Sequence, residues 1–159
     1  MDYLTLSRVI HVIAVILWIG GVSMVTTVLI PAIKKMKSKE EQIRTFETIE
    51  GKFALQAKVT TLLTGLSGFY MINELNAWSR YFDYRFWWIH AMTLVWIIFS
   101  LILYVFEPIF LQKLFKKYAA QNPERTFGIM HRLHWILLII SLITSAGAVA
   151  GSHGWFLIK

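Results

Sequence analysis

The chain reads as an all-α integral membrane protein, a four-helix up-down-up-down bundle with both termini on the outer side. Three observations carry that reading. The 159 residues are 57% hydrophobic and only 16% charged, with a formal net charge of +7 and a mean hydropathy of +0.57, which is too apolar for a soluble domain of this size. Four stretches, residues 9–33, 53–72, 86–106 and 133–149, approach or exceed the roughly 20 apolar residues that cross a bilayer. Twelve of the sixteen Lys and Arg residues fall in or beside the first and third connections, and the positive-inside rule puts those loops in the cytoplasm. Residues 1–159 form one domain.

Each element follows from its own pattern. The first apolar run is longer than the ~7–15 residues of a signal-peptide core and ends in Pro31 and the basic KKMKSK, so it is expected to be retained as a span. Around residues 38–52, Glu40, Glu41, Glu47 and Glu50 alternate with basic residues while Ile43, Phe46 and Ile49 recur at helical spacing, predicting a short amphipathic helix on the inner surface. The second span is broken by Gln56, Lys58, Thr60, Thr61, Thr64 and Ser67, which must face protein or water. Trp78, Trp87, Trp88 and Trp155 at the outer ends, and Trp135 at the inner end of the last span, fit interfacial belts. The basic balance is topogenic and suits anionic lipid; it calls for membrane lipid as partner and no nucleic acid.

Every span carries a polar or small-residue stripe at spacings of three, four and seven, which share a helix face. The stripes are His11, Ala14, Trp18, Val22 and Val25; then Gln56, Thr60, Thr64, Ser67 and Met71 beside Gly65 and Gly68. In the third span they are His90, Thr93, Ile97, Ser100, Tyr104 and Glu107, and in the last His131, His134, Ser141, Ser145 and Ser152. All four are expected to point inward.

The five histidines separate by depth. His11 and His90 each lie about four residues inside the outer end of a span, and His153 returns to that side. His131 and His134 belong near the inner surface, about 25–30 Å away at ~1.5 Å per residue. Helices one and three are diagonal in such a bundle, with axes roughly 12–14 Å apart, a separation that suits two imidazoles reaching toward one metal. With no cysteine, any ligand set must come from His, Met or oxygen. A haem b held between His11 and His90 is therefore predicted, with Trp18 nearby. Gly65, Gly68 and Ser145 make room for the macrocycle, and Arg8 and Arg85 are placed for its propionates. At the inner end Glu107, His131 and His134 form a second candidate group for a divalent metal or for proton relay to a quinone, while Lys58 is placed to pair with Glu107 as a purely structural couple.

The pattern His11-x6-Trp18-x-Gly20-Gly21, with Trp88-Ile89-His90-Ala91-Met92 in the third span, resembles the small bacterial membrane proteins grouped with the copper-resistance D proteins and the four-helix membrane protoporphyrinogen oxidases. The resemblance covers the first and third spans, the second loosely and the last hardly at all. It implies a multi-pass protein of the bacterial inner membrane, with b-type haem on His11 and His90 in the oxidase relatives and copper handling in the others. GSHGW near the C-terminus and the His131/His134 pair depart from the oxidase pattern.

Three functions follow as expectations. The first is a haem-dependent membrane oxidoreductase passing electrons to or from a quinone or another redox partner. Copper binding or transport through His11, His90 and His153 is the second. The third is a non-catalytic scaffold whose polar faces only hold helices together, and porphyrinogen oxidation stands beside these as what the resemblance alone implies.

Overall fold

The computed structural model describes residues 2–155, and they are helical almost throughout, with no strand among them. Four long helices account for the chain: α1 (Tyr3–Lys34), α2 (Lys39–Glu74), α3 (Tyr84–Gln121) and α4 (Pro123–Ser152). α1, α3 and α4 are long and apolar enough to cross a membrane. The charged residues of α2, Lys58 near its middle and four glutamates ahead of it, keep its hydropathy lower.

Local chemistry sets the boundaries. Asp2 caps α1 by accepting from the Leu4 amide, and Ser38 caps α2 by accepting from Glu41. Asn122 caps α4, with Pro123 in the first turn where a missing N–H costs nothing. Asn76, with φ of 48°, ends α2 in the left-handed region; a 3-10 turn, Ala77–Phe82, then leads through Asp83 to α3, whose own first turn, Tyr84–Phe86, is 3-10 as well. α2 has 36 residues, about 54 Å at ~1.5 Å per residue, so it outruns a ~30 Å hydrocarbon core. The expected amphipathic segment is the first part of this same helix. Its apolar face is covered by protein: Phe46 meets Phe115 of α3 and Phe127 of α4 at ring separations of 5.0 and 5.5 Å.

α1 packs along α2 and α3 along α4, and contacts of α1 with α4 and of α2 with α3 close the set. Two apolar clusters occupy the interior. One, at mid-length, gathers Trp18, Val22, Ala57, Val95, Phe99 and Leu138; Trp18 and Phe99 meet edge to face at 4.8 Å. The other lies at the lysine-rich end around Ile30, Ile33, Phe46 and Phe127.

The predicted inward stripe holds for α1, where Ala14, Trp18, Val22 and Val25 are buried, and for Thr60, Thr64 and Ser67 of α2, although Gln56 is exposed. For α3 it is corrected. Trp88, Val95, Phe99, Leu103 and Glu107 are buried while His90, Ile97 and Tyr104 are exposed. The reason is large aromatic side chains: three indoles of α3 bed onto small residues of its neighbours, and that fit rotates the helix away from its polar stripe. A Cβ on Gly65 would lie 2.6 Å from the Trp96 ring, and one on Gly147 or Gly151 would overlap Trp87 or Trp88. Trp96 closes the contact by donating its indole N–H to the Thr61 carbonyl at 2.9 Å.

Two stretches depart from the ordinary helical pitch. In α1, Val25–Leu29 is a π-turn followed by Pro31, and in α3, Ile102–Leu111 is a π-helical stretch around Pro108. Proline removes a backbone donor and crowds the preceding turn, which a wider pitch accommodates.

Candidate functional site

The histidines expected to share a haem take different neighbours. His11 is turned to α2, where its Nδ1 lies 3.0 Å from the Thr64 carbonyl and 3.0 Å from Ser67 Oγ. A carbonyl only accepts, so Nδ1 carries the proton and Nε2 keeps its lone pair. Gly68 gives the ring its seat, since a Cβ there would stand 3.3 Å from Cε1. His90 is exposed, edge-on to Tyr81 at 5.3 Å. Beyond α4, His153 is exposed and bonds back to the Val149 carbonyl at 2.8 Å. Arg85 is ion-paired with Asp83 at 2.7 Å, Arg8 is exposed, and Ser145 is half-buried on α4.

These placements bear on the predicted cofactors. The volume expected to admit a macrocycle is filled, at Gly65 by Trp96, at Gly68 by His11 and at Gly147 by Trp87. His90 presents its ring outward rather than across to His11. The residues present therefore do not form a bis-histidine haem seat. Nor are His11, His90 and His153 gathered for copper, and among the described residues no group of three or more His, Asp or Glu side chains is placed to hold a metal ion.

The inner group divides. Thr26 sits at the π-turn of α1, where the Ile30 amide bonds the Val25 carbonyl and Pro31 has no N–H to give, so the Thr26 carbonyl is left without a helical donor. His131 Nε2 stands across the interface 2.9 Å from Thr26 O and 3.0 Å from Trp135 Nε1, whose N–H donates toward it. With its proton on Nε2 the ring serves the carbonyl, and with it on Nδ1 the ring accepts from the indole. His131 is thereby a structural lock.

His134 and Glu107 instead line one cavity of about 740 Å³ in the lysine-rich half, between α2, α3 and α4 with Trp18 and Val22 of α1 closing it, within the size range of small-molecule sites. Its walls are mostly apolar and aromatic, with Trp18, Phe53, Phe99 and Phe106 among them. Glu107, only 6% exposed, accepts from Lys58 Nζ at 2.7 Å and from the Gln112 amide through its other oxygen. This is the expected charge couple, and the π-helical stretch carries Glu107 to the buried face in register with Phe99 and Leu103. His134 donates Nδ1–H to the Met130 carbonyl at 2.9 Å, which leaves Nε2 as an acceptor.

The sequence reading missed Glu50, which lines the same cavity. It lies on α2 just ahead of the apolar span, half-buried, and makes no hydrogen bond or ion pair among the described residues. Burial first, then the Glu107 carboxylate, push its carboxyl above the usual range, and Lys58 pulls it partly back. A signal existed: Phe46, Glu50, Ala54 and Ala57 follow one another at spacings of four and three, so Glu50 belongs to the buried stripe.

No family model, curated protein or solved structure matches the chain. The cavity's own chemistry is therefore what speaks to function. It offers apolar walls, three carboxylates (Glu47, Glu50 and Glu107) and an imidazole acceptor.

Proposed function

We propose that the protein is a multi-pass membrane protein that binds a lipophilic small molecule in the cavity between α2, α3 and α4. In this reading the four helices form an antiparallel membrane bundle with both termini outside, and the cavity opens in the cytoplasmic half of a bacterial inner membrane. The lysine bias of the loops supports that orientation.

The cavity itself is the observation that carries the proposal. It is lined mostly by apolar and aromatic side chains, with Glu47, Glu50, Glu107, Gln112, Lys116 and His134 among its few polar groups. Such an arrangement suits a molecule with an apolar body and a hydrogen-bonding head. A quinol-type redox lipid is the form of this ligand closest to the electron-transfer expectation, since His134 and Glu50 accept protons of the kind its hydroxyls carry. Haem and copper lose support because their ligands take other partners.

Gly51 provides the test. It is exposed and lines the cavity, and a Cβ there meets nothing within 4 Å, so Gly51→Trp starts from open space and sets an indole on the cavity wall. In lipid nanodiscs the neutral apolar dye N-phenyl-1-naphthylamine should bind the wild type saturably above empty discs, and Gly51→Trp should abolish that binding. Non-saturable uptake, or equal binding by the variant, would overturn the proposal.

A further inference from the structure

Resting on the ligand-binding reading just given, we propose that the head of the ligand is a cation: the cavity takes a lipophilic ammonium or onium compound, its charge beside Glu50 and its body against the phenyl rings. The charge account of the site points there. Three carboxylates, Glu47, Glu50 and Glu107, stand on the cavity wall. Glu107 is met by Lys58 at 2.7 Å and by Gln112, and Glu47 faces Lys116 at 3.9 Å. Glu50 alone of the three makes no hydrogen bond or ion pair among the described residues, so one negative charge is left over in a partly enclosed, low-dielectric space.

The surroundings of Glu50 fit a soft, weakly hydrated cation better than a metal ion. Among the described residues no group of three or more His, Asp or Glu side chains is placed to hold a metal ion, whereas Phe46, Phe53, Phe99, Phe106 and Phe115 all line the cavity. Aromatic faces attract an organic cation through their quadrupoles and solvate its hydrocarbon body at the same time. His134 adds an unprotonated Nε2, an acceptor for an N–H head and a repellent lone pair for an anion. Trp18, which also lines the cavity, is 3% exposed, and its indole N–H has no hydrogen-bond partner among the described residues. A buried donor of this kind is costly unless a ligand atom accepts from it, which favours an ether, carbonyl or hydroxyl oxygen along the body of the natural compound.

Tetraphenylphosphonium and tetraphenylborate have the same shape and opposite charge, and they separate the possibilities. Binding to the full chain in nanodiscs is measured by equilibrium dialysis and corrected for empty discs. The wild type should bind the phosphonium at least about tenfold more tightly than the borate. Glu50→Gln should erase that preference while retaining N-phenyl-1-naphthylamine, and circular dichroism should show the variant helical. Equal or inverted preference in the wild type, with the dye still bound saturably, overturns the cation and leaves the lipophilic cavity standing in its neutral, quinol-type form. Loss of all three probes overturns both. Should Glu50→Gln fail to fold, the wild-type comparison of the two ions still decides.

Discussion

His131 shows how one imidazole can be spent on structure. In its Nε2–H tautomer it donates to a carbonyl that Pro31 leaves without a helical partner, and the cost of removing it is then that of a bare buried acceptor, about 1–3 kcal/mol. His131→Ala should lower the stability of the detergent-solubilised protein by that amount in reversible unfolding, and Pro31→Ala in the same background should recover part of it by restoring a backbone donor nearby. His11→Ala should cost about 1 kcal/mol and leave any absorbance spectrum unchanged, because its ring is occupied by Thr64 and Ser67. A Soret band that is lost in that variant would restore the haem reading.

Glu50 makes the pH dependence specific. Its carboxyl is held above the usual range in the folded protein, so the folded state binds the proton more tightly than the unfolded one. Its contribution to stability is then most favourable below the unfolded value and falls as pH rises through the window between the unfolded and the raised folded value. Glu50→Gln should unfold at a higher temperature than the wild type at neutral pH, and the gap should close at acid pH. Thermal scans across pH check the sign.

Among the helices, α3 is where sequence and structure part. The stripe of α1 was legible because its inward residues are small or apolar at regular spacing, and the histidine at its outer end shares that face. For α3 polarity misled: His90, Thr93 and Ser100 share a stripe, yet the indoles of Trp87, Trp88 and Trp96 find glycine seats on α2 and α4, and shape outweighed polarity. Such pairing between helices is invisible in one helix's periodicity. The missed Glu50 has a related cause, since a carboxylate near a span boundary reads as surface until the far wall of its cavity is known.

The glycine seats are testable by overpacking. Gly65→Ala should cost about 1–3 kcal/mol, because its methyl would stand 2.6 Å from the Trp96 ring. Trp96→Phe should relieve the clash, giving a negative coupling in a double-mutant cycle of unfolding free energies.

For the assembled chain, the ion pair and the cavity belong together. Lys58 and Glu107 join α2 to α3 at the polar end of the site. Lys58→Met alone leaves a buried carboxylate without its counter-charge and should cost about 3 kcal/mol. Lys58→Met combined with Glu107→Leu should come much closer to the wild type, because no lone charge remains. The same reversible unfolding in detergent distinguishes these outcomes.

The wide turns at residues 25–29 and 102–111 have one more consequence. A helix of regular pitch cannot lose a residue without swinging everything beyond it by about 100°, but a π stretch already holds surplus chain. Dropping one residue there tightens the coil and leaves distant contacts aligned, whereas the same deletion in the Val95–Phe99 region would scramble them. These turns are thus the places where the protein's length is negotiable, and the second of them borders the chamber whose dimensions such a change would alter.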